Sequence, residues 1–352
     1  MLQIAGAIAI VAFHVQAPFS QMGWAAVEVF FVMAGMNMAS SLDRDLSLAA
    51  YARQRFVRLM PELTVVWLAT LAFVIAGRGS AGMAWFLGSA PFQLQNLTPL
   101  FFQYDLPRDA VFGPLWFLGS LFQLQVIVFA LKRFVSSAKP LVTIALALCA
   151  GVSARLLFAL WKGDAMAPGG ADAGVLYCMP FCHLEAIVLG VLLGRGMWPR
   201  FGGMLPWGIG IAVAAGALSL WLPGIQGLGG LGFEFPPRVH GSHLWAYPLL
   251  AFASGMLCAK DGLLAKWAEE IRMPEWIGNG VATLAPLTYG VYCFHGLVIS
   301  TGINGAAMLG GSPKGRCLLL FITFLESLIL SLIVNRVWHA VFRKSRLIAG
   351  KS

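Results

Sequence analysis

Charged side chains are scarce in this sequence of 352 residues. Only 11% of the residues are charged and 59% are hydrophobic, whereas charged residues make up about 25% of a typical soluble domain. This composition excludes an ordinary soluble enzyme. A helix needs about 20 apolar residues to cross a bilayer, so roughly ten crossings and their connections would use residues 1–352 as a single membrane domain.

The sequence also lacks the patterns of several other protein classes. Its 24 Lys and Arg give a net charge of +9 but form no basic tract of the kind that binds nucleic acid, so we expect no nucleic-acid partner. The six cysteines include no Cys-x-x-Cys pair, and we expect them to pack between helices rather than to bind a metal. The first apolar stretch has no basic leader or cleavage pattern, so it should remain as the first span.

Long apolar runs, separated by polar residues, glycine and proline, indicate the membrane spans. The alternation of polar and apolar residues that a barrel strand needs is absent, so the spans must be helices. We therefore predict an all-α polytopic bundle of about ten transmembrane helices. The predicted spans are residues 2–20, 24–42, 60–77, 114–133, 140–161, 178–196, 204–222, 242–259, 281–300 and 316–341.

Lys and Arg concentrate in or beside alternate connections. Of the 24, 17 lie there or at the C-terminal end, and 7 lie elsewhere. Because cytoplasmic loops hold the excess of positive charge, this division predicts that both termini are cytoplasmic. On the opposite side, residues 78–113 and 223–241 are long enough to form lids or binding loops, or else amphipathic covers.

Ionisable side chains inside the hydrocarbon region are costly and mark pathways or sites. His14 stands some six residues before the first outer turn and Glu28 about seven residues after it. The two are therefore predicted at the same depth and within hydrogen-bonding range, directly or through one water. The same count places five further residues in the outer half or near the midplane: Arg155, His183, Glu185, His295 and Glu326.

A histidine beside a carboxylate suits proton transfer, because imidazole titrates near neutrality and the carboxylate can fix its tautomer. His14 and Glu28 are accordingly the candidate catalytic pair. One alternative is an interhelical hydrogen bond that only joins two helices. Another is a metal site without recognised ligand spacing, formed by His14, His183, Glu185 and His295.

Arg53, Arg55 and Arg58 form a basic run before Pro61, where a cytoplasmic connection enters the third predicted span. Such residues set topology and contact anionic lipid headgroups. Guanidinium groups also suit the phosphates of a cytosolic cofactor. The residues alone leave both interpretations open.

Several stretches, in this order, resemble motifs of the acyltransferase-3 family, integral membrane enzymes that O-acetylate bacterial surface polysaccharides and related glycans. The stretches are Ile4–His14, Val27–Gly35, Arg53–Pro61, Pro114–Leu118 and Thr288–His295. They resemble, in turn, an opening helix ending in histidine, an acidic residue before Phe-Phe-Val, an Arg-x-x-Pro segment, Pro-Leu-Trp-x-Leu and a Tyr-x-x-Tyr-x-x-His helix.

The resemblance implies a core of about ten helices in which His14 takes the proton from an acceptor hydroxyl. Acetyl-CoA or another acyl-CoA would enter from the cytoplasm, and a cell-surface polysaccharide or lipid-linked glycan would accept the acyl group in the bacterial inner membrane. The expected CoA-binding residues are Arg53, Arg55 and Arg58. The expected substrate-binding residues are Trp116 and Tyr292, from the motifs, with Arg155 and His295, from their depth.

The sequence departs from the family pattern in three ways. Gln3 stands where the family has an arginine eleven residues before its histidine, and Ala34 replaces a serine. The acidic residue that often follows the Trp motif is missing, with Leu121 and Gln123 nearby instead. The prediction is therefore a membrane O-acyltransferase with two alternatives: a proton-coupled transporter or flippase, and a catalytically impaired scaffold with the same fold.

Overall fold

A computed structural model describes residues 1–20, 23–101, 111–162, 172–198, 201–221, 243–262, 266, 274–301 and 312–349. The predicted all-α class is confirmed, since these residues form helices and turns and no strand. The α-helices are α1 (Leu2–His14), α2 (Ala26–Leu42), α3 (Leu48–Phe73), α4 (Ala81–Ser89), α5 (Thr98–Phe101), α6 (Trp116–Ala130), α7 (Lys132–Ser137), α8 (Pro140–Lys162), α9 (Asp172–Tyr177), α10 (Leu184–Gly194), α11 (Phe201–Trp221), α12 (His243–Cys258), α13 (Glu275–Leu284), α14 (Thr288–Thr301) and α15 (Pro313–Ala349).

Within the described ranges, six helical stretches are long and apolar enough to cross a membrane: Gly23–Leu42, Leu48–Arg78, Gly113–Ala130, Pro140–Phe158, Glu275–Thr301 and Pro313–Val341. Three shorter apolar helices are Leu2–His14, Pro180–Gly194 and Leu244–Cys258. Each predicted span overlaps a helix. The count of ten crossings and the cytoplasmic position of both termini stay predictions.

The basic run lies within α3 and not in a connection before it. The Ser47 side chain accepts a hydrogen bond from the backbone N–H of Ala50, so α3 begins at Leu48, well before the predicted start at residue 60. Such a cap satisfies one of the free N–H groups of a first helical turn. Pro61 lies inside this helix without ending it. Arg53, Arg55 and Arg58 are therefore held on helical backbone.

Helices α2 and α10 pack so closely that their backbones are in contact. A Cβ atom added to Gly35 would clash with the carbonyl oxygen of Ile187, and one added to Gly190 would clash with that of Val32. Gly194, one turn beyond Gly190, meets the backbone of Met36 in the same way. Small residues four apart allow this close contact between membrane helices. Glu28 lies two helical turns before Gly35 on the same face of α2. The contact therefore also turns Glu28 toward α10.

The predicted outer segment at residues 78–113 is partly helical and inserted between α3 and α6. Trp67 Nε1 in α3 donates to the carbonyl oxygen of Leu87 at 2.8 Å. Gln123 Nε2 in α6 donates to that of Gln93 at 2.9 Å. Gln93 is buried and has a left-handed backbone with φ of 58°, so this side-chain donor satisfies a buried carbonyl at a turn between helices. Residues 102–110 and the second outer segment, 223–241, lie outside the described residues.

The α2–α10 contact predicts a selective effect of adding one methyl group. Gly190→Ala should destabilise the protein by about 1–3 kcal/mol, because the helices must separate to accommodate the Cβ. Gly210→Ala in α11 is the matched control, since nothing lies within 4 Å of its added Cβ, and it should be neutral or stabilising. Thermal unfolding in detergent measures both. Equal melting temperatures for the two variants would contradict the close-contact interpretation.

Candidate functional site

His14 and His295 bring their rings together at one place in the bundle. His14 ends α1, His295 lies in the middle of α14, and their ring centroids are 4.8 Å apart with planes inclined at 44°. His295 is fully buried. His14, at the end of its helix, is exposed. The two predicted residues that meet are thus one accessible histidine and one buried histidine.

Tyr292 ties this histidine pair to the start of α6. Its hydroxyl donates to the carbonyl oxygen of Pro114 at 2.5 Å. Its ring centroid lies 5.7 Å from that of His295 and 4.9 Å from that of Phe117. The predicted substrate-binding residues Tyr292 and His295 therefore belong to the same cluster, and the Pro-Leu-Trp stretch is attached to it through Pro114.

Glu28 pairs with His183 and not with His14. Its Oε1 lies 2.5 Å from His183 Nδ1, and its Oε2 has no hydrogen-bond partner among the described residues. The predicted direct pairing of His14 with Glu28 is therefore wrong. The depth count gives the level of a residue but not the direction of its side chain. Glu28 shares a helix face with Gly35, seven residues later, and that face packs against α10.

His183 is held on all sides. Its Nε2 lies 2.8 Å from the carbonyl oxygen of Tyr177, and because a carbonyl only accepts, Nε2 must donate. The ring stacks between Phe31 at 4.3 Å and Trp116 at 5.4 Å, measured between centroids. With Nε2 protonated, one further proton lies between Nδ1 and Glu28. The predicted substrate-binding residue Trp116 is buried against this ring.

Arg155 and Glu185 form a second buried pair. Arg155 Nη2 lies 2.5 Å from Glu185 Oε1, and Nη1 lies 3.2 Å from Oε2. Nη1 also donates to the carbonyl oxygen of Phe181, and the guanidinium lies over the Tyr247 ring. Both side chains are fully buried, and the missing Cβ of Gly151 leaves room for the carboxylate. Arg155, predicted to bind substrate, is thus occupied by a protein partner.

Six of the seven ionisable residues therefore form three pairs of neighbours, and Glu326 is the seventh. Glu326 is half-buried in α15 and has one oxygen without a hydrogen-bond partner among the described residues. Among the residues that the structure describes, no three His, Cys, Asp or Glu side chains are grouped so that they could hold a metal ion.

The three arginines of the basic run differ in their surroundings. Arg53 and Arg58 are exposed. Arg55 is half-buried, donates to Ser41 Oγ at 3.3 Å and lies over the Tyr51 ring at 5.1 Å. Arg55 therefore joins α3 to α2, whereas Arg53 and Arg58 are available to an anionic ligand.

One buried carboxylate was missed by the sequence reasoning. Glu62 is 3% exposed, and its Oε1 accepts a hydrogen bond from Asn335 Nδ2 at 3.3 Å. It stands one helical turn after Arg58. The signal was available, because an acidic residue inside an apolar span is a marker of function and Glu62 lies at the start of the predicted third span.

A family model described as an acyltransferase domain matches residues 1–336. The chain belongs to the acyltransferase-3 family. The match spans every described element up to the C-terminal part of α15. Neither a curated protein nor a solved structure matches the chain. With its apolar helices, this acyltransferase-3 protein is a multi-pass membrane acyltransferase.

The buried Arg155–Glu185 pair predicts strong coupling between its members. Arg155→Leu alone should destabilise the acyltransferase by about 3–5 kcal/mol, because it leaves the Glu185 carboxylate buried without a cation. The double variant Arg155→Leu with Glu185→Leu should recover most of this loss. Thermal unfolding of single and double variants in detergent measures the coupling.

Asp43→Asn is the control for this cycle. Asp43 pairs with Arg195 at 3.1 Å but is 63% exposed, and exposed pairs contribute about 0–1 kcal/mol. A double variant as unstable as Arg155→Leu alone would refute the pairing as the cause.

Proposed function

We propose that this protein transfers an acetyl or another acyl group from cytoplasmic acyl-CoA to a hydroxyl of a cell-surface polysaccharide or lipid-linked glycan. His14 is the general base, and the bacterial inner membrane is the location. The main support is the accessible His14 ring beside buried His295, in a chain of the acyltransferase-3 family. A base must be reachable by its substrate, and among the predicted histidines His183 and His295 are fully buried.

The reaction follows from ordinary acyl-transfer chemistry. His14 takes the proton of the acceptor hydroxyl as its oxygen attacks the thioester carbonyl. The new C–O bond forms, the C–S bond breaks, and the proton on His14 returns to the departing CoA thiolate. Assistance by a positioned base contributes about 10²–10⁴-fold.

Glu28 has a different role in this proposal from the one its sequence position predicts. Since its carboxylate pairs with His183, which stacks on Trp116, Glu28 supports the α6 start rather than His14. Pro114 at that start accepts the hydrogen bond of Tyr292. Glu28 is thus a positioning residue that is linked to the histidine pair through His183, the start of α6 and Tyr292.

The arginines of α3 are the proposed donor site. Arg53 and Arg58 are exposed on one helix, about 7.5 Å apart along its axis at 1.5 Å per residue. Planar guanidinium groups bind phosphate oxygens in pairs. The CoA phosphates would lie here while the thioester extends toward His14.

His14→Ala tests the function directly. The variant should lose acyl transfer from labelled acyl-CoA to glycan by about 10²-fold or more, while remaining folded in the membrane. His339→Ala is the matched control, since His339 is exposed near the end of α15. The assay uses membrane vesicles and mass spectrometry of the glycan.

The same vesicles separate the alternatives. Wild-type protein that moves substrate without any acyl transfer would favour the transporter, and neither activity would favour the scaffold. Undiminished acylation by His14→Ala would overturn the assignment of the base.

A second prediction concerns the donor. Arg53→Ala and Arg58→Ala should each raise the KM for acyl-CoA, because each removes a cation for its phosphates. Arg133→Ala is the control, a cation that is also exposed but lies in α7. Initial rates over a range of acyl-CoA concentrations measure the effect. An unchanged KM together with reduced membrane insertion would mean that these arginines set the membrane topology and do not bind acyl-CoA.

A further inference from the structure

His295 has one ring nitrogen whose state is fixed by its helix. Nδ1 lies 3.3 Å from the carbonyl oxygen of Val291, one turn earlier in α14. Because the carbonyl can only accept, Nδ1 carries the hydrogen. In the neutral ring Nε2 is then the unprotonated nitrogen and can accept one hydrogen bond.

That acceptor has no partner in the part of the chain that the structure describes. His295 Nε2 is buried and forms no hydrogen bond with any described residue. A buried polar atom without a partner is costly and rare in native proteins. It needs an N–H or O–H donor from a neighbouring side chain or from a ligand.

His14 is placed to be that donor. Two imidazoles joined by an N–H···N bond of about 2.9 Å have centroids about 5 Å apart, since each nitrogen lies near the edge of its ring. The observed separation is 4.8 Å. Hydrogen bonds of a catalytic base are often poorly aligned in the free enzyme and tighten with substrate bound, so a small rotation of His14 completes the bond.

The helix that bears His295 is rigidly held. Tyr292 anchors it to Pro114, and Gly290 lies against Ser331 so closely that a Cβ would clash with its hydroxyl. Ser331 Oγ also donates to the carbonyl oxygen of Leu287. His14, by contrast, is the last residue of its helix, so its ring benefits from an external anchor.

We propose that His295 is the positioning residue for His14: its Nε2 accepts a hydrogen bond from one ring N–H of His14 and leaves the other nitrogen of His14 unprotonated toward the acceptor hydroxyl. This inference rests on the proposed function. When the hydroxyl proton moves to His14, the N–H that points at His295 shares the new positive charge with Nε2. The proton leaves again with the CoA thiolate, so His295 ends each turnover unchanged.

The pairing replaces the carboxylate that a base of this kind commonly has. The carboxylate at the expected depth, Glu28, is bound to His183, and Glu185 is bound to Arg155. A neutral imidazole acceptor fixes the tautomer of the base, although it stabilises the imidazolium less than a carboxylate would.

Substitutions at residue 295 test the acceptor. His295→Phe retains an aromatic ring but has no acceptor, and His295→Gln offers an amide oxygen. We expect the Phe variant to lose kcat by ~10- to 100-fold with KM for acyl-CoA unchanged, as for a misplaced base. The Gln variant should recover at least part of kcat. If His295→Phe does not fold, as judged by size-exclusion chromatography, His295→Met tests the same point.

Modification of His14 by diethylpyrocarbonate gives a readout that needs no acyl transfer. The reagent attacks the unprotonated nitrogen of an accessible imidazole. His14 should react several-fold faster in wild-type protein and in His295→Gln than in His295→Phe or His295→Met, as followed by peptide mass spectrometry. His339, exposed in α15, serves as the internal reference.

The outcomes separate the two proposals. Equal His14 reactivity and equal kcat in wild type and His295→Phe would overturn the role of His295. Equal loss of kcat in the Gln and Phe variants, with equal His14 reactivity, would also overturn it, since side-chain packing would then explain the loss. A reactivity difference in a protein that transfers no acyl group would support the histidine pair and refute the proposed function.

Discussion

Hydrocarbon offers no hydrogen bonds, so each ionisable side chain within this bundle needs a partner on another part of the protein. The described pairs follow this constraint. Glu28 of α2 meets His183 just before α10, and Arg155 of α8 meets Glu185 within α10. The start of α10 thereby connects to two other helices through buried charge. Close contact of Gly35 with the α10 backbone brings the first pair into reach.

The same constraint gives meaning to the atoms that remain unpaired. Glu28 Oε2, Arg155 Nε and His295 Nε2 are buried without hydrogen-bond partners among the described residues. The first two belong to side chains that already form strong ion pairs at their other atoms. His295 has only a weak contact to its own helix, and in the proposed arrangement its unpartnered nitrogen accepts a hydrogen bond from His14. That nitrogen lies beside the accessible ring of His14.

The sequence predicted the helices better than the partners of the site residues. Apolar runs are sufficient to locate the apolar helices, and each predicted span overlaps one. Counting residues from the outer turn gave related levels to Glu28 and His183, which meet in the structure, but it did not pair them. Partner choice depends on which way each side chain points around its helix, and this is decided by tertiary packing. Glu28 points toward α10 because it lies on the same face of α2 as Gly35, and that face packs against α10.

Helix boundaries near charged residues were harder to predict for a related reason. A basic run is typical of a cytoplasmic connection, yet Ser47 starts α3 early enough to include Arg53, Arg55 and Arg58. For the outer segment at residues 78–113 the sequence leaves a binding loop and an amphipathic cover open, and it does not reveal that the amide of Gln123 holds the turn at Gln93 against α6. In both regions one side-chain hydrogen bond to the backbone decides the local structure. Hydropathy does not detect such bonds.

Gln3 places a neutral side chain on α1 where the family pattern has a cation. Residues 3 and 14 are eleven positions apart, about three helical turns, so they lie on one face of α1 and about 16 Å apart along its axis. A cation at residue 3 would share a face with the base and stand toward the cytoplasmic end in the predicted orientation. Gln3 provides hydrogen bonds there but no charge. Under the proposed function, the charge that balances an anionic donor comes from another helix. Arg53 and Arg58 of α3 are exposed, whereas Arg55 and Arg155 are bound to protein partners.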